Sequence, residues 1–152
     1  MTAHQELDAP GSQRTAARRG TGGLPWWQAI GIGAVAATVI NLVVLAIGNA
    51  AGASFVYVDA GATGQVTAGS VIMSSTLPLI IGTGLAAVIA RWWPGVIRVA
   101  QVVGAGLALV TIAGVLTMQT DGGTQVALSV MHFVIAPVVV GVLEAGRRRR
   151  LV

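Results

Sequence analysis

Apolar residues fall along this chain in four long stretches, with the polar residues gathered between them. The stretches cover about 28–50, 70–90, 99–118 and 125–143, and none contains Asp, Glu, Lys or Arg. A helix needs roughly 20 mainly apolar residues to cross about 30 Å of hydrocarbon, and each stretch meets that length. The surface helix of a water-soluble protein keeps one polar face; these four have none. The pattern predicts an all-α integral membrane protein. Its membrane domain, about 26–145, is a four-helix bundle built from two antiparallel hairpins.

The segments between the stretches set the expected orientation. Arg14, Arg18 and Arg19 precede the first stretch, and Arg91 and Arg98 separate the second from the third. Arg147, Arg148, Arg149 and Arg150 follow the fourth. Asp59 and Asp121 lie in the other two loops, which hold no base. Basic residues are retained on the cytoplasmic side, so both termini are expected in the cytoplasm and the membrane is expected to be the plasma membrane. Trp26, Trp27, Trp92 and Trp93 fall at the same interface, where indole is favoured. Pro25 and Pro94 beside them suit helix starts or tight turns.

Residues 1–25 are polar and aperiodic and read as a disordered cytoplasmic tail; residues 146–152 read as a short basic one. Arg18-Arg19 ahead of an apolar run has the outline of a twin-arginine export signal. Gly20-Thr21-Gly22-Gly23 does not continue that motif, and the apolar run exceeds a signal's h-region. The larger external loop contains Ser54-Phe55-Val56-Tyr57-Val58-Asp59, an alternating stretch that suits a short strand or an interfacial flap. Gly61, Gly64 and Gly69 punctuate the rest. The second external turn is short and holds Gly122-Gly123.

Composition agrees with this picture and removes several chemistries. Of the 152 residues, 55% are hydrophobic and 9% charged, where a soluble domain carries about 25% charged residues. Cysteine is absent, which excludes disulfides, thiolate metal sites and cysteine nucleophiles. Asp59 and Asp121 do not make a metal site or a carboxylate pair, and no metal or cofactor is expected. The net charge of +4 does not indicate nucleic acid. Its arginines flank membrane spans, and no aromatic-rich reader accompanies them. Those at 147–150 read as a topology anchor and as contacts for anionic lipid, worth about 1 kcal/mol each near an acidic leaflet.

Gly31-Ile32-Gly33-Ala34-Val35-Ala36 and Gly82-Thr83-Gly84-Leu85-Ala86-Ala87 both fit GxGxxA. A dinucleotide turn needs a preceding strand and a helix that opens at the glycines, and here the glycines lie inside apolar spans. Small residues instead let membrane helices approach closely. Gly82, Ala86 and Ala90 form one such row, and Ala100, Gly104 and Ala108 another, so tight helix contacts are expected there.

His132 is the one ionisable side chain inside the four spans. A charge near the bilayer centre costs at least about 2.5–3.5 kcal/mol, so a neutral, hydrogen-bonded imidazole is expected. At 1.5 Å per residue, His132 and Asn41 lie about 3 Å external to the middle of their spans, and Pro78 and Thr111 within about 4 Å of it. Pro78 leaves the Ser74 carbonyl without its helical donor; Ser74, Ser75 and Thr76 sit just above. Ser129 is one turn from His132, and Thr38 one turn from Asn41. Asn41, Ser74, Thr111, Ser129 and His132 therefore form a polar layer. It serves either as interhelical glue, the commoner role of such groups, or as the floor of a small external cavity.

Phe55-Val56-Tyr57-Val58 after the first span and Ala127-Leu128-Ser129-Val130-Met131-His132 in the fourth, together with the four spans, carry a resemblance. The chain resembles a family of small, uncharacterised four-helix membrane proteins, mostly actinobacterial. In that family a Met-His pair opens the last helix and a glycine-containing external loop joins the first two. The resemblance covers about 26–143 and implies no catalytic residue; it directs attention to Met131-His132. The expected role is that of a non-enzymatic membrane component. Its expected partners are membrane lipids, a second copy of the chain or another membrane protein. The alternative is a small transporter or channel subunit with a path along Asn41, Thr111 and His132.

Overall fold

The computed structural model describes residues 24–59 and 61–150. The N-terminal tail expected over 1–25, with His4, Arg14, Arg18 and Arg19, lies almost wholly outside them, as does the Arg150 side chain. In chain order the elements are α1 (Trp26–Ala50), β1 (Val56–Asp59), β2 (Ala62–Gln65), α2 (Ala68–Ile89), α3 (Val96–Thr117), β3 (Gln119–Thr120) and α4 (Gly122–Arg150). All four helices are long and apolar enough to cross a membrane, with mean hydropathies of 2.5, 1.9, 2.2 and 2.4 over their most apolar windows. Much of that apolar surface faces outward: Val102, Val110, Leu107 and Phe133 are all more than half exposed. A soluble monomer rarely leaves so continuous an apolar surface uncovered.

Local chemistry sets the helix ends. Thr67 caps α2 in a reciprocal box: its hydroxyl accepts from the Ser70 N–H (3.2 Å) and its own N–H donates to the Ser70 hydroxyl (2.9 Å). Asp121 plays the same part for α4, its Oδ1 accepting from the Thr124 N–H at 2.9 Å. Such caps satisfy helix N–H groups that lack intrahelical acceptors. At the far end α4 continues past the expected span. Glu144 pairs with Arg147 and Arg148 three and four residues on, a spacing that supports helix. Its 29 residues extend about 43 Å, more than the hydrocarbon requires.

The molecule is mostly helical rather than purely so, because the connectors at one end form a three-stranded sheet in the order β2-β1-β3. β1 pairs antiparallel with β2, Tyr57 opposite Gly64, and with β3, Tyr57 opposite Thr120. The Tyr57 ring lies over Gly64, where a Cβ would come within 2.5 Å of it. Gly61 takes the left-handed conformation (φ 82°) that the β1–β2 turn requires.

Two apolar clusters hold the helices. One joins Ala34 and Ala37 of α1, Leu79 and Ala86 of α2, Val96 and Ile97 of α3, and Val139 and Leu143 of α4, with Trp26 against it. The other, beneath the sheet, gathers Leu45, Phe55, Val71, Ala127 and Met131. α1 packs closely on α2 and α4, and α3 on α4, whereas α2 touches α3 and α4 far less. The gap between α2 and α3 is the feature from which the candidate site is built.

Candidate functional site

Two adjoining cavities occupy that gap. The lower, about 380 Å³, lies between α2 and α3 against α4, with walls that include Leu79, Gly82, Val103, Gly104, Leu107 and Val139. The upper, about 740 Å³, runs beneath the sheet and is lined by Asn41, Tyr57, Asp59, Ser75 and Gln119 among others. Ser74, Thr111, His132 and Ile135 line both. Three helices thus bring one polar side chain each to the level where an apolar groove meets a polar vestibule.

Each of those three groups is turned back on its own helix. The Thr111 hydroxyl donates to the Leu107 carbonyl at 2.7 Å, and the Ser74 hydroxyl to the Val71 carbonyl at 3.3 Å. His132 Nδ1 lies 2.8 Å from the Leu128 carbonyl. A carbonyl only accepts, so this nitrogen carries a proton, and in the neutral imidazole Nε2 is the acceptor.

The expected polar layer therefore divides in two. Asn41, almost completely buried, donates through Nδ2 to the Ser75 hydroxyl at 2.9 Å, and the Thr38 and Thr76 hydroxyls meet at 3.0 Å. These bonds tie α1 to α2. Ser74, Thr111 and His132 line both cavities, whereas Asn41 and Ser75 line only the upper. Ser129 joins neither group: its buried hydroxyl has no partner among the described residues. Asn41 Oδ1 is likewise buried and unpartnered.

The small-residue rows divide too. A Cβ at Gly104 would meet Val139 Cγ1 at 2.8 Å, so α3 and α4 are in close contact there. At Gly82 a Cβ would meet nothing within 4 Å, because that glycine faces the lower cavity. Ala86 and Ala108 are buried, Ala86 in the helix-joining cluster and Ala108 in the cavity wall. α1 and α4 also approach closely at Gly33, where a Cβ would overlap Val142. Gly33 was visible only as part of a GxGxxA run, and nothing in that run marks which glycine faces a neighbour.

Sequence reasoning also missed the knot that holds the sheet on the helices. Asp121 Oδ2 accepts from the Ser54 hydroxyl (2.5 Å), the Ser54 N–H (3.1 Å) and the Thr124 hydroxyl (2.6 Å). Thr124, fully buried, accepts in turn from the Phe55 N–H at 2.8 Å. The Ser54 hydroxyl first, then the Thr124 hydroxyl and amide, hold the Asp121 carboxyl well below the usual carboxylate range. Phe55 sits at positive φ (53°), costly for a bulky residue, with its ring buried against Gly48 and Ala127. An Asp ahead of an apolar run is a recognisable N-cap signal; its bonds to Ser54 are not local and left no trace in sequence.

At the opposite end Trp26 packs on Gly146, whereas Trp27, Trp92 and Trp93 are exposed. Glu144 grips Arg147 through two bonds of 2.7 Å and reaches Arg148 at 3.1 Å. Arg149 makes no ion pair among the described residues.

A model of a family of unknown function, DUF6069, matches residues 22–149, most of the chain, and the chain belongs to that family. No curated protein and no solved structure matches it.

Proposed function

We propose that this member of a family of unknown function is a non-enzymatic, multi-pass plasma-membrane protein that binds a lipid-like molecule between α2, α3 and α4. In this reading the helices form a bundle of two antiparallel hairpins, with both termini in the cytoplasm and the sheet outside. The observation that carries it is the cleft: an apolar groove of about 380 Å³ meeting a polar vestibule at Ser74, Thr111 and His132. Ligand sites are typically concave and apolar with a few polar groups that fix orientation. The arginines support the orientation through retention on the cytoplasmic side, and those at 147–150 would contact anionic lipid.

Native mass spectrometry of the protein released in mild detergent, wild type and His132→Leu, tests the reading. The expected result is a tightly held small molecule or lipid on wild type that is lost from the variant. Both forms carrying only exchangeable lipid would refute it, and would move attention to protein partners; the same masses report whether the chain pairs with a second copy. The shared wall of the two cavities supports a second reading, a transport path through the Thr111–His132 level. Solute flux into liposomes that falls in His132→Leu would favour that alternative.

A further inference from the structure

The cleft reading leaves the chemistry of the bound molecule open, and the proton inventory of its walls narrows it. We propose, resting on that reading, that the ligand presents a hydrogen-bond donor without negative charge, a hydroxyl or an ammonium, at the level of His132. Its apolar chain lies in the groove between α2 and α3.

Every polar side chain where the cavities meet directs its own proton elsewhere. The Thr111 and Ser74 hydroxyls donate to Leu107 and Val71, which leaves oxygen lone pairs toward the cleft. His132 donates through Nδ1 to Leu128. Its Nε2 has no hydrogen bond among the described residues and is not sealed in the interior. Three helices thus offer acceptors at one level. Thr83, lower in the groove, follows the same rule, donating to the Leu79 carbonyl at 2.6 Å. Pro78 in the wall has no N–H to offer the Ser74 carbonyl.

Donors exposed to the cleft are few. Tyr57 and Gln119 stand on the sheet, and the Ser75 hydroxyl, which accepts from Asn41 and keeps its own proton, is almost fully buried. Among the described residues no arginine lines either cavity, and the one charged side chain in their walls is Asp59. A carboxylate or phosphate at the His132 level would meet lone pairs on three sides without a counter-charge, in surroundings where unpaired charge is costly. A hydroxyl or ammonium supplies the protons those acceptors lack.

The test uses the full chain in nanodiscs of zwitterionic lipid, with radiolabelled 1-dodecanol, dodecylamine and dodecanoate as probes and uptake by empty nanodiscs subtracted. The expected result is retention of the alcohol, the amine or both at least about 10-fold above dodecanoate; which of the two is held identifies the head. Thr111→Val and His132→Leu should each reduce that preference. Thr111 is exposed, so its variant carries the test if His132→Leu fails to fold. Gly82→Leu, which fills the groove, should release every probe. Dodecanoate held as well as dodecanol, yet released by Gly82→Leu, would overturn this inference and leave the cleft reading standing. Probes held equally by wild type and Gly82→Leu would overturn both.

Discussion

Replacing Thr124 by Val removes one hydroxyl with almost no change in shape, at the point where the sheet is fastened to α4. The residue is fully buried. Its oxygen accepts from the Phe55 N–H (2.8 Å) and donates to Asp121 Oδ2 (2.6 Å). Asp121 keeps three donors in the variant: the Ser54 hydroxyl, the Ser54 N–H and the backbone N–H at 124. The Phe55 N–H keeps none. Leaving a buried donor unsatisfied costs about 1–3 kcal/mol, so local opening of the sheet should become roughly 5- to 150-fold more frequent. Amide hydrogen exchange of the full chain in micelles measures this at Val66, whose N–H donates to the Phe55 carbonyl at 2.8 Å. Thr111→Val is the control, because that hydroxyl is exposed and bonds within its own helix turn; it should stay within about 0.5 kcal/mol of wild type. A change at Val66 below about 2-fold in Thr124→Val, or an equal change in both variants, would refute the assignment of the sheet's anchorage to this knot.

Four further outcomes are expected. Gly33→Ala should lower resistance to denaturing detergent by about 1–3 kcal/mol through overpacking on Val142. Gly82→Ala, in open space, should raise it by up to about 1 kcal/mol; shifts of the same sign would contradict the packing. The Asp121 carboxyl titrates below its unfolded value of about 3.9. Its stabilisation is therefore complete above about pH 4 and is lost as pH falls below that. Unfolding midpoints followed down from about pH 6 should show this acid loss in wild type and a flatter profile in Asp121→Asn. Glu144→Gln should free Arg147 and Arg148 from their ion pair and raise retention of phosphatidylglycerol about 5-fold, the equivalent of one arginine near an acidic leaflet. Unchanged lipid retention by mass spectrometry would mean that those arginines do not meet lipid.

The helices were legible because their cause is one-dimensional. A segment that must satisfy its backbone in hydrocarbon announces itself by length and polarity alone. The four stretches correspond to α1 to α4, with ends shifted by three residues at most except at the end of α4, which continues to Arg150. The alternation around Tyr57 likewise marked β1. It gave no sign of β3, two residues long and paired across more than sixty positions, since such pairing is specified by what is brought alongside.

The site was legible in content but not in arrangement. Sequence reasoning grouped Asn41, Ser74, Thr111, Ser129 and His132 into one polar layer, with Asn41 and His132 at the same height and Ser129 a turn away, because rise per residue is fixed. Which of them face each other depends on the rotation of each helix about its axis. In water an amphipathic pattern fixes that angle; a helix apolar on every side carries no such mark. Only packing decided that Asn41 turns to Ser75, that Ser74, Thr111 and His132 turn to a common cleft, and that Gly33 rather than Gly82 meets a neighbour. Height along each helix axis is written along the chain. Direction around each helix is settled by the other three.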